Sequence, residues 1–107
     1  NPIVSAYHDG NGPRWEKDDK GNKISSRLFD YGIEGKKVST WYNTEVIKYH
    51  RTFSSIFNTL IEAGFIIIKV LEPIPSKEVI NKYPEYSDNY HRPDFLIIKA
   101  VKIRSNK

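Results

Sequence analysis

One segment near the middle of the chain restricts the possible fold more than any other. Apolar side chains recur there in steps of three and one residues, at positions Phe53, Ile56, Phe57, Leu60 and Ile61. Such steps place all of them on one face of a helix. Thr52 is a suitable N-cap for this helix, and Gly64 can end it because the C′ position requires a positive φ. The amphipathic helix needs a sheet to cover.

Strand-like runs flank this helix on both sides. Residues 46–50 form a short β-branched and aromatic run before it. Residues 65–71 form an apolar run after it that only Lys69 interrupts, a pattern typical of a strand buried on both faces. Residues 94–101 form a second run of this kind, directly after Pro93. These runs predict antiparallel strands for the helix to pack on.

The segment between the two long runs is predicted to be helical and turned. Ser76 can cap a short helix through about residue 83. Pro84 then ends that helix or starts another turn that runs to residue 92. Because 107 residues suit one domain, we predict a single α+β unit whose main body covers residues 46–102.

The first 45 residues have a different composition. They hold five of the six glycines and six of the aromatic side chains, namely Tyr7, Trp15, Phe29, Tyr31, Trp41 and Tyr42. Sustained periodicity is lacking, so residues 5–45 are predicted to be an irregular lid or binding loop. The aromatic side chains argue against full disorder, since they seek burial. They can line an apolar substrate pocket or simply pack on their own domain, and both interpretations remain open.

The net charge of +4 comes from the C-terminal end of the chain. Residues 99–107 contain no acidic residue and four basic ones, Lys99, Lys102, Arg104 and Lys107. The first 98 residues are balanced in charge, whereas a nucleic-acid surface needs several cations on one face. We therefore expect a basic tail over residues 103–107 and no nucleic-acid partner.

Other features of the composition bear on location and completeness. There is no cysteine, no signal-like start and no apolar run near the ~20 residues that cross a bilayer. We therefore expect a cytoplasmic protein without a membrane partner. The sequence begins at Asn1 and contains no methionine, from which we expect a segment of a longer chain.

Four stretches together resemble the C-terminal part of class I S-adenosylmethionine-dependent methyltransferases. They are residues 49–65 (YHRTFSSIFNTLIEAGF), 71–73 (LEP), 82–85 (KYPE) and 92–100 (RPDFLIIKA). The group they resemble most is the small-molecule methyltransferases related to those of ubiquinone and menaquinone biosynthesis. The resemblance covers residues 45–102.

This resemblance implies a fold for the intact protein. The family has a Rossmann-like α/β sheet of seven strands, the last of which runs antiparallel to the others. Residues 53–63 would be the last large helix, 66–71 the sixth strand and 95–101 the seventh. Asn1-Pro2-Ile3 would leave the fifth strand, and residues 5–45 would be the variable insertion that helps to close over the substrate.

The resemblance also implies an activity, the transfer of a methyl group from S-adenosylmethionine to a small-molecule acceptor. The family binds its cofactor in the N-terminal half, through a glycine-rich turn after the first strand and an acidic residue after the second. Such a site needs a strand, a glycine turn and a helix in succession. Gly10-Asn11-Gly12 lies in a loop before Pro13. We therefore expect no cofactor-binding residue in this segment, and no activity without the missing N-terminal half.

Two candidate site residues, His50 and Arg51, lie at a strand-to-helix junction, where ligand-facing loops meet in open α/β sheets. His50 could accept a proton from a substrate hydroxyl, and Arg51 could hold an anionic group. Alternatively, His50 caps the sheet edge and Arg51 pairs with an acid. The remaining candidates for the substrate pocket are Tyr7, His8, Trp15, Tyr31, Trp41 and Tyr42. The three histidines lack metal-ligand spacing, so no metal site is predicted.

Two further expectations concern partners. If the fifth strand is absent, the strand at residues 95–101 exposes an apolar edge that invites dimerisation. A rival function is a non-catalytic binding module that uses the aromatic loop and the basic tail to bind nucleic acid or protein. A steep salt dependence of binding would favour that module, whereas a hydrophobic pocket between loop and sheet would favour the methyltransferase.

Overall fold

A computed structural model describes residues 1–103 of the chain as a mixed α/β structure. Its helices are α1 (Pro2–Ser5), α2 (Phe53–Glu62), α3 (Lys77–Lys82) and a 3-10 helix (Pro84–Tyr90). Its strands are β1 (Trp15–Lys17), β2 (Lys23–Ser26), β3 (Gly35–Trp41), β4 (Thr44–His50), β5 (Phe65–Leu71) and β6 (Ile97–Lys102). The strands form three two-stranded antiparallel sheets, β1–β2, β3–β4 and β5–β6. The seven-stranded sheet of the family is not seen within this part of the chain.

The predicted unit of helix, glycine and strand is confirmed. The Thr52 hydroxyl accepts a hydrogen bond from the Ser55 N–H at 3.2 Å and caps α2. Gly64 has φ +91° just after α2, and β5 starts at the next residue. The Lys102 ammonium donates to the Ala63 carbonyl at 2.6 Å, which ties the C-terminal end of α2 to β6. α2 packs on β5, as the pattern predicts.

The prediction of an irregular segment over residues 5–45 is wrong. β3 and β4, of seven residues each, form a hairpin whose two-residue turn, Tyr42-Asn43, has φ values of +47° and +63°. Such turns match the twist of the flanking strands. Sequence alternation fails to reveal β3 because Lys37 and Ser39, both polar, occupy its buried positions.

A second hairpin, β1–β2, lies within the same segment. The Asp18 carboxylate accepts hydrogen bonds from the backbone N–H groups of Lys20 and Asn22, both at 2.9 Å. These bonds, with that from Asn22 first, hold the pKa of Asp18 below its ordinary value. Residues 18–22, which include Gly21 and Asn22, therefore form an ordered turn between β1 and β2.

The prediction that β5 and β6 are buried on both faces is also wrong. Cross-strand partners Ile66 and Val101, and likewise Leu71 and Ile97, are 43–52% exposed. α2 covers one face of this sheet only, and no element of residues 1–103 covers the other. Pro2 and Ala6 are the only buried apolar residues within residues 1–103.

The dimensions of the chain agree with this incomplete core. Its radius of gyration is 17.0 Å, whereas a compact domain of this length has about 13 Å. Its accessible surface is 8097 Å², against about 6,200 Å² for a folded monomer of this mass. The chain is therefore more extended than a self-contained domain.

Within residues 1–103, no helix has both the length and the apolar character of a membrane span. The cytoplasmic location stays a prediction. Arg104 and Lys107 of the predicted basic tail lie outside the described residues.

Candidate functional site

His50 stands at the end of β4, and its side chain is completely buried. Its Nε2 lies 2.7 Å from the Tyr31 carbonyl oxygen, and its Nδ1 lies 2.7 Å from the Ser5 hydroxyl. Because a carbonyl oxygen can only accept, Nε2 carries the proton, and in the neutral ring Nδ1 accepts from Ser5. Both ring nitrogens are thus held by groups of the chain, and Ser5 stands between the imidazole and the surface.

Tyr31 joins this histidine to the start of α2. Its ring meets the His50 ring edge-on, with centroids 5.6 Å apart. Its hydroxyl accepts a hydrogen bond from the Phe53 N–H at 2.8 Å. Nearby, the Ser55 hydroxyl and then the Thr52 N–H lower the pKa of Glu34 by hydrogen bonding to its carboxylate. The segment before β3 therefore holds the first turn of α2 in place.

A groove of about 350 Å³ opens in front of Ser5. Its apolar lining includes Ile56 of α2, Ile98 of β6 and Leu96, which directly precedes β6. Arg51 supplies a cationic group at the same groove and is exposed. The groove can therefore hold an apolar molecule, with the Ser5 hydroxyl and the Arg51 guanidinium as its polar groups.

Two of the predicted pocket residues lie instead among cationic side chains. The Arg14 guanidinium lies over the Tyr7 ring, with Cζ 3.9 Å from the centroid. Lys23 and Arg92 lie near the Trp15 ring, at 4.4 Å and 4.8 Å from its centroid. Aromatic faces attract such cations, so the Tyr7 and Trp15 rings stabilise basic groups. Neither ring lines the groove.

The other predicted pocket residues lie apart from the groove. His8 binds the Asp30 carboxylate through Nε2 at 3.0 Å, and this bond, followed by one from Asn11, lowers the pKa of Asp30. Trp41 and Tyr42 lie at the tip of the β3–β4 hairpin, where Tyr42 is 99% exposed. The structure thus brings Tyr31, His50 and Arg51 to one junction and leaves the other candidates elsewhere.

Sequence reasoning missed Ser5 as a member of this site. It lies 45 residues from His50 in the sequence, so only the fold brings the two together. Lys48, whose ammonium donates to the Val4 carbonyl next to Ser5 at 3.4 Å, was also missed, although it stands two residues before His50 on the same face of β4. Alternation along a recognised strand could have identified Lys48, but no local signal could have identified Ser5.

The described residues do not fit S-adenosylmethionine. A Rossmann-type site needs a glycine turn between a strand and the helix that follows it. β4 passes into α2 through Arg51 and Thr52, whereas Gly64 follows a helix and Gly35 begins a strand. No group of three potential metal ligands occurs within residues 1–103 either.

Comparisons with known proteins agree with the resemblance seen in the sequence. No family model matches the chain. An uncharacterized protein of Haemophilus influenzae is 38% identical over 102 residues, which are 95% of this chain and 39% of that protein. The chain thus spans well under half of this relative.

Two crystal structures are similar in both fold and sequence. One is a "putative S-adenosylmethionine dependent methyltransferase" from Listeria monocytogenes, with 36% identity and a TM-score of 0.76 over 97% of this chain and 45% of that one. The other is an S-adenosylmethionine dependent methyltransferase from Mesorhizobium loti, with 33% identity and a TM-score of 0.76 over 94% and 44%. Over nearly its whole length, the chain is therefore similar to a part of S-adenosylmethionine-dependent methyltransferases, as the sequence predicts.

Proposed function

We propose that this chain is the C-terminal, substrate-side part of an S-adenosylmethionine-dependent methyltransferase that acts on a small molecule. In this proposal the remainder of the intact protein binds the cofactor, and the chain by itself is inactive. The exposed apolar face of the β5–β6 sheet is the observation that carries the proposal. Its supporting facts are the similarity to two methyltransferase structures and the extra length of those proteins.

The exposed sheet face argues for a covering partner. Ile66, Leu71, Ile97 and Val101 each expose about half of their side chains. Burial of apolar surface contributes about 25 cal/mol per Å², so such a face is stabilised when another element packs on it. More than half of each related structure lies outside the part that matches this chain. The occupant we propose is the cofactor-binding part of the same protein.

The contacts of Asn1 support a specific position for a preceding strand. Its backbone nitrogen donates to the Asp94 carbonyl at 3.2 Å, and its side-chain amide donates to the Phe95 carbonyl at 3.3 Å. These contacts put Asn1 beside the residues that lead into β6. A strand that ends at Asn1 would run antiparallel along the second edge of β6, as the fifth strand of the family does. In a chain without that strand, the same edge would pair with a second copy.

The groove supports a role on the acceptor side. Ile56, Leu96 and Ile98 would receive the apolar body of the methyl acceptor. A proton lost by the acceptor would pass to the Ser5 hydroxyl as its own proton moves to Nδ1 of His50, which the Tyr31 carbonyl orients. Arg51 would stabilise negative charge at the same groove.

Two measurements on the full-length protein test the proposal: calorimetry of S-adenosylmethionine binding, and an assay of S-adenosylhomocysteine release. We expect one S-adenosylmethionine to bind per chain, and S-adenosylhomocysteine to be released when a pool of cellular small molecules is added. Arg51→Gln should reduce this release and leave the affinity for S-adenosylmethionine unchanged. The proposal is wrong if the full-length protein does not bind S-adenosylmethionine. The acceptor-side role is wrong if Arg51→Gln weakens cofactor binding as much as turnover.

A further inference from the structure

The inner face of the β3–β4 hairpin carries an unusual pair of lysines. Lys37 and Lys48 stand directly opposite each other in the antiparallel register. Like charges in this arrangement are destabilising, and Lys37 is only 4% exposed. Each ammonium donates to one backbone carbonyl at 3.4 Å, Lys37 to that of Asp30 and Lys48 to that of Val4. Within residues 1–103, neither lysine has a carboxylate partner within 4.0 Å.

Two arginines add to this positive charge. The Tyr7 ring has the Arg14 guanidinium at 3.9 Å and the Lys48 ammonium at 5.8 Å from its centroid. Arg92 comes from the turn before β6, and its side chain is only 16% exposed. Its Nε is buried and has no hydrogen-bond partner in the described part of the chain. A buried N–H group without an acceptor costs free energy. An acceptor that binds there would remove this cost.

The nearby carboxylates are already engaged. Asp9 accepts from the Thr40 hydroxyl at 2.6 Å and from the Thr40 N–H at 3.1 Å. Asp30 accepts from His8, and Asp94 is 3.5 Å from a terminal nitrogen of Arg92. Asp88 forms an ion pair with Lys23. The cations around Lys48 therefore keep an excess of positive charge.

The protonation of Lys48 reflects the same surroundings. Burial first, and then the charges of Arg14, Arg92 and Lys37, lower its pKa to about 8, while Asp9 acts in the opposite direction. The charged form of Lys48 is thus costly where it stands. An anion placed among these groups would relieve that cost.

We infer that Arg14, Lys48 and Arg92 form a binding site for a small oxyanion, the phosphate or carboxylate group of the methyl acceptor. The assignment to the acceptor rests on the proposed function, whereas the oxyanion site itself rests on the cluster alone. Arg14 and Arg92 present planar guanidinium groups, which suit phosphate and carboxylate oxygens. Lys48 adds a single positive charge beside the Tyr7 ring that Arg14 also contacts.

Nuclear magnetic resonance of the full-length protein tests the site directly. The indole N–H signal of Trp15 reports on Arg92 and is assigned with Trp15→Phe. Sodium phosphate or sodium acetate is added at constant ionic strength, so that general salt effects cancel. We expect a saturable shift of the Trp15 signal. The anion with the higher affinity, phosphate or acetate, identifies the group that the site prefers. The absence of saturation with either probe would overturn the site.

Matched variants distinguish anion binding at this site from nonspecific attraction of anions to basic residues. Lys48→Gln should weaken the apparent affinity roughly tenfold or more, because a charge-assisted contact is lost. Lys36→Gln removes an exposed lysine of β3 and should leave the affinity unchanged. Equal weakening by the two variants would show nonspecific binding and overturn the proposal. If Lys48→Gln fails to fold, Arg14→Gln serves as the second variant.

A separate titration keeps this inference distinguishable from the proposed function. Lys48→Gln should bind S-adenosylmethionine as the unaltered protein does. If the full-length protein binds phosphate at this cluster and fails to bind S-adenosylmethionine, the proposed function is wrong and the oxyanion site stands. If it binds S-adenosylmethionine and shows no saturable anion binding, the oxyanion site is wrong and the proposed function stands.

Discussion

The β3–β4 hairpin and the β5–β6 hairpin reverse the usual distribution of polar and apolar side chains. In the first, Lys37, Ser39 and His50 are buried. In the second, apolar residues such as Ile66 and Val101 are about half exposed. Polar residues normally lie outside and Ile and Val inside, so each hairpin calls for its own explanation.

The difference lies in where the partners of each hairpin come from. His50 and Lys37 of β3–β4 find hydrogen-bond partners within the first 34 residues, His50 in Ser5 and Tyr31 and Lys37 in the Asp30 carbonyl. The buried Ser39 hydroxyl has no partner within residues 1–103. The apolar groups of β5–β6 have α2 on one face and no cover on the other within residues 1–103. Within residues 1–103, the first hairpin therefore has partners for most of its buried polar groups, whereas the second leaves one apolar face uncovered.

The largest expected effect on stability tests whether the exposed apolar face of β5–β6 is covered in the full-length protein. In the full-length protein, Val101→Asp should lower the free energy of unfolding by about 3 kcal/mol or more, because in our proposal the cofactor-binding part covers Val101 and would bury the new carboxylate. Tyr42→Asp, at a fully exposed position, should change it by less than about 0.5 kcal/mol. Chemical denaturation measures both. Equal effects would mean that this sheet face stays exposed in the intact protein.

The next effect concerns the polar interior of β3–β4. His50→Ala removes a completely buried ring with two hydrogen bonds at 2.7 Å. We expect a loss of about 2–4 kcal/mol, since the Ser5 hydroxyl and the Tyr31 carbonyl lose their partner. His91→Ala alters an exposed histidine and is the control. A loss below about 1 kcal/mol for His50→Ala would show that this polar interior contributes little.

A smaller effect on stability is expected at the start of α2, where Tyr31 joins the β3–β4 hairpin to this helix. Tyr31→Phe removes the hydroxyl that accepts from the Phe53 N–H at 2.8 Å. The expected loss of stability is about 1 kcal/mol, the usual contribution of one hydrogen bond. Tyr42→Phe, which removes a fully exposed hydroxyl, should be neutral. Thermal unfolding of the two variants side by side decides whether the Tyr31 hydroxyl matters.

The smallest effect is a pH dependence of anion affinity. Lys48 has a lowered pKa of about 8, so it is charged below that value and loses its charge as pH rises through it. Acetate affinity at the basic cluster should therefore fall several-fold between about pH 7 and about pH 9, while the charge of acetate stays constant. Titration of the Trp15 signal at several pH values measures this. The slope should vanish in Lys48→Gln, and an unchanged slope would assign the dependence to another group.

Local signals in the sequence predicted the helix–sheet unit well. The Thr52 cap, the apolar face of α2 and the Gly64 stop all act within a few residues, and each is present as predicted. β3 escaped prediction because Lys37 and Ser39 occupy its inner positions. The exposure of β5 and β6 also escaped prediction, because an apolar run does not tell how many faces of its strand other elements cover.

The candidate site was predictable only in part. His50 and Arg51 drew attention because they sit at a strand-to-helix junction, where such loops face ligands. The Ser5 contact with His50 and the grouping of Arg14, Lys48 and Arg92 depend on segments far apart in the sequence. Residue type and spacing carry no information about such contacts until the strands are paired.

The position of Tyr31 has a consequence for the order of folding. Its bonds to His50 and Phe53 close loops of 19 and 22 residues, whereas the bond of Asn1 to Asp94 closes one of 93. Short loops lose less entropy on closure, and contacts between near neighbours in the sequence form faster. The hairpin and α2 should thus assemble around Tyr31 early, and Asn1 and Asp94 should meet late. The edge of β6 would then be the final surface to find its neighbour.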